Sequence, residues 1–157
     1  MKKLQFSIDI KAPKEDVWKV LWNDATYKKW TSAFMEGSYA VTDWNEGSRV
    51  KFLSPNGDGM FSIIDKKIPN EFMSFKHLGM IKNGKEEPDS DESRKLSGAM
   101  ENYRLKEVGG ITKLHAEVDV IDPGTGEDYV DIMNKAFPKA LEKVKELSEK
   151  SKVAAEV

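Results

Sequence analysis

The stretch EDYVDIMNKAFPKALEKVKELSE, residues 127–149, decides how the rest of the chain is read. Tyr129, Ile132, Met133, Ala136, Phe137, Ala140, Leu141, Val144 and Leu147 recur three and four apart, with Lys139, Glu142, Lys143 and Glu146 opposite them. That period predicts a long helix with one buried stripe. Pro138 interrupts it, removing a backbone hydrogen bond and predicting a kink. The stripe resumes in phase afterwards, so one kinked helix is expected. Leu141 to Leu147 should then close a core, while Met133, Ala136 and Phe137 lie near the break and form the expected pocket wall.

Most of the chain before this helix reads as strands that need an apolar cover. Leu4, Phe6, Ile8 and Ile10 alternate with Lys3, Gln5, Ser7 and Asp9, a strand with one inner face. Ala12-Pro13 ends it, and Pro13 suits the first turn of a helix whose buried side carries Val17, Val20, Leu21 and Trp18. Asn23 or Asp24 stops that helix and caps a short second one through Tyr27 and Trp30. Strands follow at 39–42, 49–53, 60–67 and 72–78, separated by Asn45-Glu46-Gly47, by the segment from Ser54 to Gly59, and by Pro69-Asn70. In the last of these, Met73, Phe75 and His77 share one face and Phe72, Ser74, Lys76 and Leu78 the other. Hydrophobicity alone does not choose between them. After 79–98, strands at 101–106 and 112–120 flank the Gly109-Gly110 turn, and Asp122-Pro123-Gly124 leads to the long helix. The fold class is α+β: a curved antiparallel sheet around a long C-terminal helix, with a domain over 1–150 and a flexible tail at 151–157.

The totals remove several functions. A length of 157 residues suits one domain with a substantial core. A net charge of -2, with Lys and Glu interspersed, leaves no basic stripe for nucleic acid. Without cysteine there is no disulfide framework, thiol nucleophile or thiolate metal site. The opening MKKLQFSIDI alternates instead of running apolar as a signal peptide does, and no window has the apolar length of a membrane span. The expected location is the cytoplasm, without integral membrane association.

Residues 79–98 are the longest weakly patterned interval. Asn83-Gly84 is a hairpin signal, but Glu86, Glu87, Asp89, Asp91 and Glu92 have little apolar material beside them. A mobile solvated loop is expected, with a lid over a ligand as the alternative. The acids lack calcium-loop spacing, so no metal or cofactor is assigned.

Chemistry is sparse. No HExxH series, phosphate loop or nucleophile–base set is present, so no catalytic residue is assigned. His115 belongs to the polar side of its strand, where exposure or pairing accounts for it. His77 shares its face with Met73 and Phe75; if that face is internal, the ring needs a polar partner. Glu101 has the parity of Tyr103 and Leu105, and a buried carboxylate must be partnered or neutralised. Its candidate partners are His77, Arg49 and Tyr103. Three roles are open to it: a structural hydrogen-bond network, orientation of a ligand, or proton transfer. Bulky residues including Trp44, Phe61 and Met100 either fill a core or line an adaptable apolar pocket. Trp18 and Trp22, if exposed together, would instead form a protein-binding patch.

Five segments carry a family resemblance: Ile10-Lys11-Ala12-Pro13-Lys14-Glu15-Asp16-Val17-Trp18, Tyr27-Lys28-Lys29-Trp30, Phe75-Lys76-His77-Leu78-Gly79, Glu101-Asn102-Tyr103-Arg104-Leu105 and Phe137-Pro138-Lys139-Ala140-Leu141. In this order they resemble the START-like (SRPBCC) superfamily, more narrowly the domain related to the activator of Hsp90 ATPase homologue. The resemblance implies a helix-grip fold over nearly the whole chain, and relatives that bind lipids, hormones or other apolar molecules. Leu96 and Met100 stand near a position where that pattern often has an aromatic residue, which reshapes the pocket. The expected function is binding of an apolar or amphipathic small molecule between sheet and helix. Trp30, Phe34, Met35, Phe52, Phe75, Tyr103, Met133 and Phe137 would contact it, and His77 or Glu101 would meet its polar end. The alternative is a protein-interaction or stress-response module with a protein partner and no catalytic site.

Overall fold

Strand β1 (Lys2–Ile10) is followed by two short helices, α1 (Lys14–Trp22) and α2 (Asp24–Thr31). The computed structural model describes residues 1–122, 126 and 128–156, with side chains to residue 150. Next come β2 (Tyr39–Val41), β3 (Arg49–Leu53), β4 (Gly59–Ile68), β5 (Phe72–Lys82), β6 (Lys85–Glu87), α3 (Asp91–Leu96), β7 (Met100–Val108), β8 (Ile111–Val120) and α4 (Tyr129–Glu156). The strands form one antiparallel sheet in the order β1-β8-β7-β5-β4-β3-β2, with β6 paired to β5. Helix α4 packs against β1, α1 and α2, as the apolar stripe requires.

Local chemistry explains the corners. The Asn23 side chain accepts from Ala25 N–H and caps α2. Pro13 has no side chain to cap α1, and Glu107 reaches across from β7 to accept from Lys14 N–H at 2.8 Å. Buried Thr112 donates to Ala12 C=O at 2.7 Å, fastening the β1–α1 corner to β8. Gly79 faces Phe61 across β4 and β5; a Cβ there would come within 2.7 Å of the Phe61 ring.

Helix α4 is a single element through exposed Pro138. Its expected stripe is buried at Ala136, Phe137, Ala140, Leu141 and Val144 but only half-buried at Tyr129, Met133 and Leu147. Ile132 is 43% exposed rather than buried. Ser148, four residues after Val144 and so on the same side as the stripe, is fully buried. Phe137 stacks on Phe6 with centroids 4.7 Å apart, while Ala140, Leu141 and Val144 lie in the core. The expected tail begins within the backbone span of α4; the turn residues Pro123 and Gly124, the expected helix start at Glu127, and Val157 lie outside the described residues.

The interval 79–98 is not an open loop. Strand β5 continues to Lys82, Asn83 and Gly84 adopt positive φ, and β6 completes a hairpin. Ser90 then caps α3. Buried Ser93 accepts from Met80 N–H at 2.7 Å and donates to Glu87 C=O, fixing α3 onto β5. Leu96, Ala99 and Ile121 form a second, small core cluster beneath it. Three apolar residues, one ending α3 and two in the connections beside β7 and β8, leave no period to read along the chain. Among the described residues, no helix is long and apolar enough to cross a membrane.

Candidate functional site

The interior face of β5 carries Met73, Phe75 and His77, all buried. A register irregularity between Phe61 and Ser62 sets Ser62 opposite His77. His77 N–H donates to Ala99 C=O at 2.8 Å and Gly98 N–H donates to His77 C=O at 2.9 Å, so the segment entering β7 is pinned to β5 at this residue. The next residues of β7 bring Glu101 opposite Phe75 and Val118.

This backbone arrangement builds a chain of four polar side chains inside an apolar shell. Ser62 Oγ lies 2.7 Å from His77 Nδ1. On the other side of the ring, His77 Nε2 is 3.4 Å from Glu101 Oε1. Tyr103 donates its hydroxyl to Glu101 Oε2 at 2.5 Å. When Ser62 donates to Nδ1, the ring proton sits on Nε2, the nitrogen nearer the carboxylate, across a contact longer than a good hydrogen bond. Two of the partners anticipated for Glu101 are thus present. Arg49 is not one of them: it pairs with Glu86 on the surface at 2.6 Å.

Burial and the Glu101 charge together push the Tyr103 phenol well above its ordinary value, and its bond to Glu101 adds to the effect. The same two causes act on Tyr27 of α2, also burial first. Both phenols therefore remain protonated at neutral pH. The ring of His77 is almost wholly enclosed, but the Glu101 side chain keeps 22% of its surface accessible. It is the outlet of the chain.

Around these groups the rings interlock. Trp22, Trp30, Phe75 and Tyr103 meet edge to face, with Trp22 5.1 Å from Tyr103 and 5.3 Å from Phe75. Trp22 is buried rather than part of a surface patch with half-buried Trp18, and its Nε1 has no hydrogen-bond partner. Phe52, half-buried, turns its edge to Phe75 and to His77.

The residues expected to contact a ligand fall into three groups. Trp30, Phe75, Tyr103 and Phe137 are sealed in the core, Tyr103 against Trp30 and Phe75, and Phe137 against Phe6 and Phe34. Phe34, Phe52 and Met133 are half-buried and packed against that core, with the Phe34 ring 4.8 Å from Phe137. Met35 is 54% exposed. Two clefts lie elsewhere, and neither is lined by any of these residues. One, of about 100 Å³, opens on the outer face of the sheet among Phe72, Asn102, Arg104, His115 and Glu117. The other, of about 460 Å³, lies where Val120 and Ile121 meet Tyr129 and Val130. Sequence reading missed Ser62 and Tyr27; Ser62 carries no signal without the register, but Tyr27 stands in a quoted family segment. No group of three His, Asp or Glu side chains among the described residues is placed to hold a metal ion.

Solved structures share this architecture. The solution structure of the Aha1 dimer from Colwellia psychrerythraea is similar at 21% identity, with a TM-score of 0.68 over 92% of this chain and 94% of that one. Protein MLL2253 from Mesorhizobium loti is similar at 15% identity, with a TM-score of 0.72 over 95% and 98% of the two chains. CV1439 from Chromobacterium violaceum is similar at 14% identity, with a TM-score of 0.67 over 94% and 96%. At these identities the likeness establishes the helix-grip fold. No curated protein matches the sequence. The family model described as activator of Hsp90 ATPase homolog 1-like protein matches residues 11–149. The chain, gripping α4 within its sheet, belongs to that family.

Proposed function

We propose that this protein binds a small amphipathic molecule at the Glu101 end of the space between sheet and α4, acting in the cytoplasm. One observation carries the reading: a hydrogen-bonded carboxylate on an interior strand face, ringed by aromatic side chains, keeps part of its surface accessible. A polar chain in an apolar interior is costly unless every member is satisfied, and a purely structural chain gains nothing from an open end. The half-buried Phe34, Phe52 and Met133 offer an apolar bed beside the core. Trp30 and Phe75, fully enclosed, act as the wall behind that bed. The polar end of the ligand meets Glu101, with His77 and Tyr103 holding the carboxylate in place.

Native mass spectrometry of the purified protein, followed by extraction of bound molecules, tests this. A co-purifying small molecule, displaced on substitution of Phe52 by a charged residue, is the expected result. A bare chain mass, with no response of the tryptophan fluorescence to added amphiphiles, refutes it.

A second reading, a protein-interaction module, is favoured by exposed Met35, Val41 and Ile132 and by the dimer named for the Colwellia relative. Sedimentation across a concentration series decides it: a self-associating or partner-bound species supports this reading, and a lone monomer that carries a small molecule removes it.

A further inference from the structure

We propose, resting on the reading above, that the ligand's polar end is an organic cation, such as an alkylammonium group, and that anionic amphiphiles are excluded. The evidence is the charge inventory of the polar chain. Among the described residues, the one ion-pair partner within reach of Glu101 is His77, and that contact is loose at 3.4 Å. The remaining neighbours are neutral: Tyr103 donates to Oε2, and Tyr27 lies close enough to feel the carboxylate. The cross-strand neighbours, Phe75 and Val118, are apolar. No lysine or arginine side chain among the described residues is paired with this group.

The interior therefore presents a carboxylate with accessible surface and no fixed cation. A carboxylate accepts hydrogen bonds and offers none, so whatever completes it must be a donor. A positive donor gains Coulomb attraction in a partly desolvated site, and a second anion there meets repulsion. A hydroxyl head satisfies the hydrogen bond without the charge and belongs between the two extremes.

Three probes of equal chain length separate these cases: octylammonium chloride, octanol and sodium octanoate, titrated below micelle formation and followed by tryptophan fluorescence and calorimetry. Octylammonium should bind at least about tenfold more tightly than octanoate, with octanol between them. Glu101→Gln should bring the ratio near one. Glu142→Gln, on the exposed side of α4, removes the same formal charge and should leave the ratio unchanged. Octanoate binding as tightly as octylammonium to the unsubstituted protein overturns the inference but leaves an amphiphile site standing. A ratio that falls equally in Glu142→Gln also overturns it, because net charge would then explain the preference. Failure of all three probes to bind removes the site itself, and the proposed function with it. The unsubstituted protein's own ratio decides the matter even if Glu101→Gln is poorly folded.

Discussion

The two ends of α4 face different chemistry. Beyond Pro138, Ala140, Leu141 and Val144 are buried in the main core with Ile10, Val17 and Leu21. Before it, Met133 and Tyr129 are half-buried and Ile132 is exposed. The polar chain from Ser62 to Tyr103 lies on the sheet's interior face, where Trp22 of α1 packs edge to face against Tyr103. The far end of the helix holds the fold together, while its first turns are more loosely covered. A single helix serves both because its apolar stripe continues through the proline while the material opposite it changes.

The largest effect expected from this contrast is on packing. Leu141→Ala should cost about 2–5 kcal/mol of stability, since a fully enclosed site cannot collapse around the missing atoms. Met133→Ala, on the looser end, should cost no more than about 2 kcal/mol. Urea denaturation of both variants checks the pair, and equal losses would erase the proposed difference between the two ends.

Alkaline titration sharpens the polar side of the comparison. Both Tyr27 and Tyr103 have folded-state values raised well above the ordinary phenol value of 10.0. Below that value both phenols are protonated in folded and unfolded chains alike, and their contribution to stability is fully present. As pH rises past it, the unfolded chain releases protons that the fold retains, so stability falls until the folded values are reached. Each phenol should contribute about 1.4 kcal/mol per pH unit to that fall. Tyr103→Phe should remove about half of the tyrosine-dependent slope. Stability that stays level from pH 10 to 11, measured by urea midpoints, would contradict the enclosure of both rings.

The smallest effect is expected at Ile132. Its side chain is largely in water, so Ile132→Ser should change stability by no more than about 0.5 kcal/mol. A loss of several times that would mean that the near end of α4 is covered by something else, such as a second chain.

Much of this architecture was legible because local periodicity reports a buried face directly. The alternation of β1 and β8 and the stripe of α4 each state which side turns inward. The Glu101 partnership with His77 and Tyr103 was accessible as a short list, since strand parity put all three on plausible inner faces. Ser62 was not, because its place opposite His77 depends on one extra residue in β5 relative to β4. The α3 segment was misread for a related reason. Its stability comes from Ser93, Leu96 and Ala99 meeting Met80 and Ile121, contacts made across the chain rather than a pattern within one element.

The sequence by itself determined the layers of this protein: an alternating sheet, two short helices behind a proline, and a long helix with one apolar side. Periodicity suffices for that because the hydrophobic effect acts on each element's face separately. Tertiary structure alone decided that Ser62, His77, Glu101 and Tyr103 form one connected chain, and that Glu101 is its exposed end. Hydrogen bonds are directional and short, so their partners are set by register, a bulge and the docking of neighbouring strands, none of which is written in any single segment.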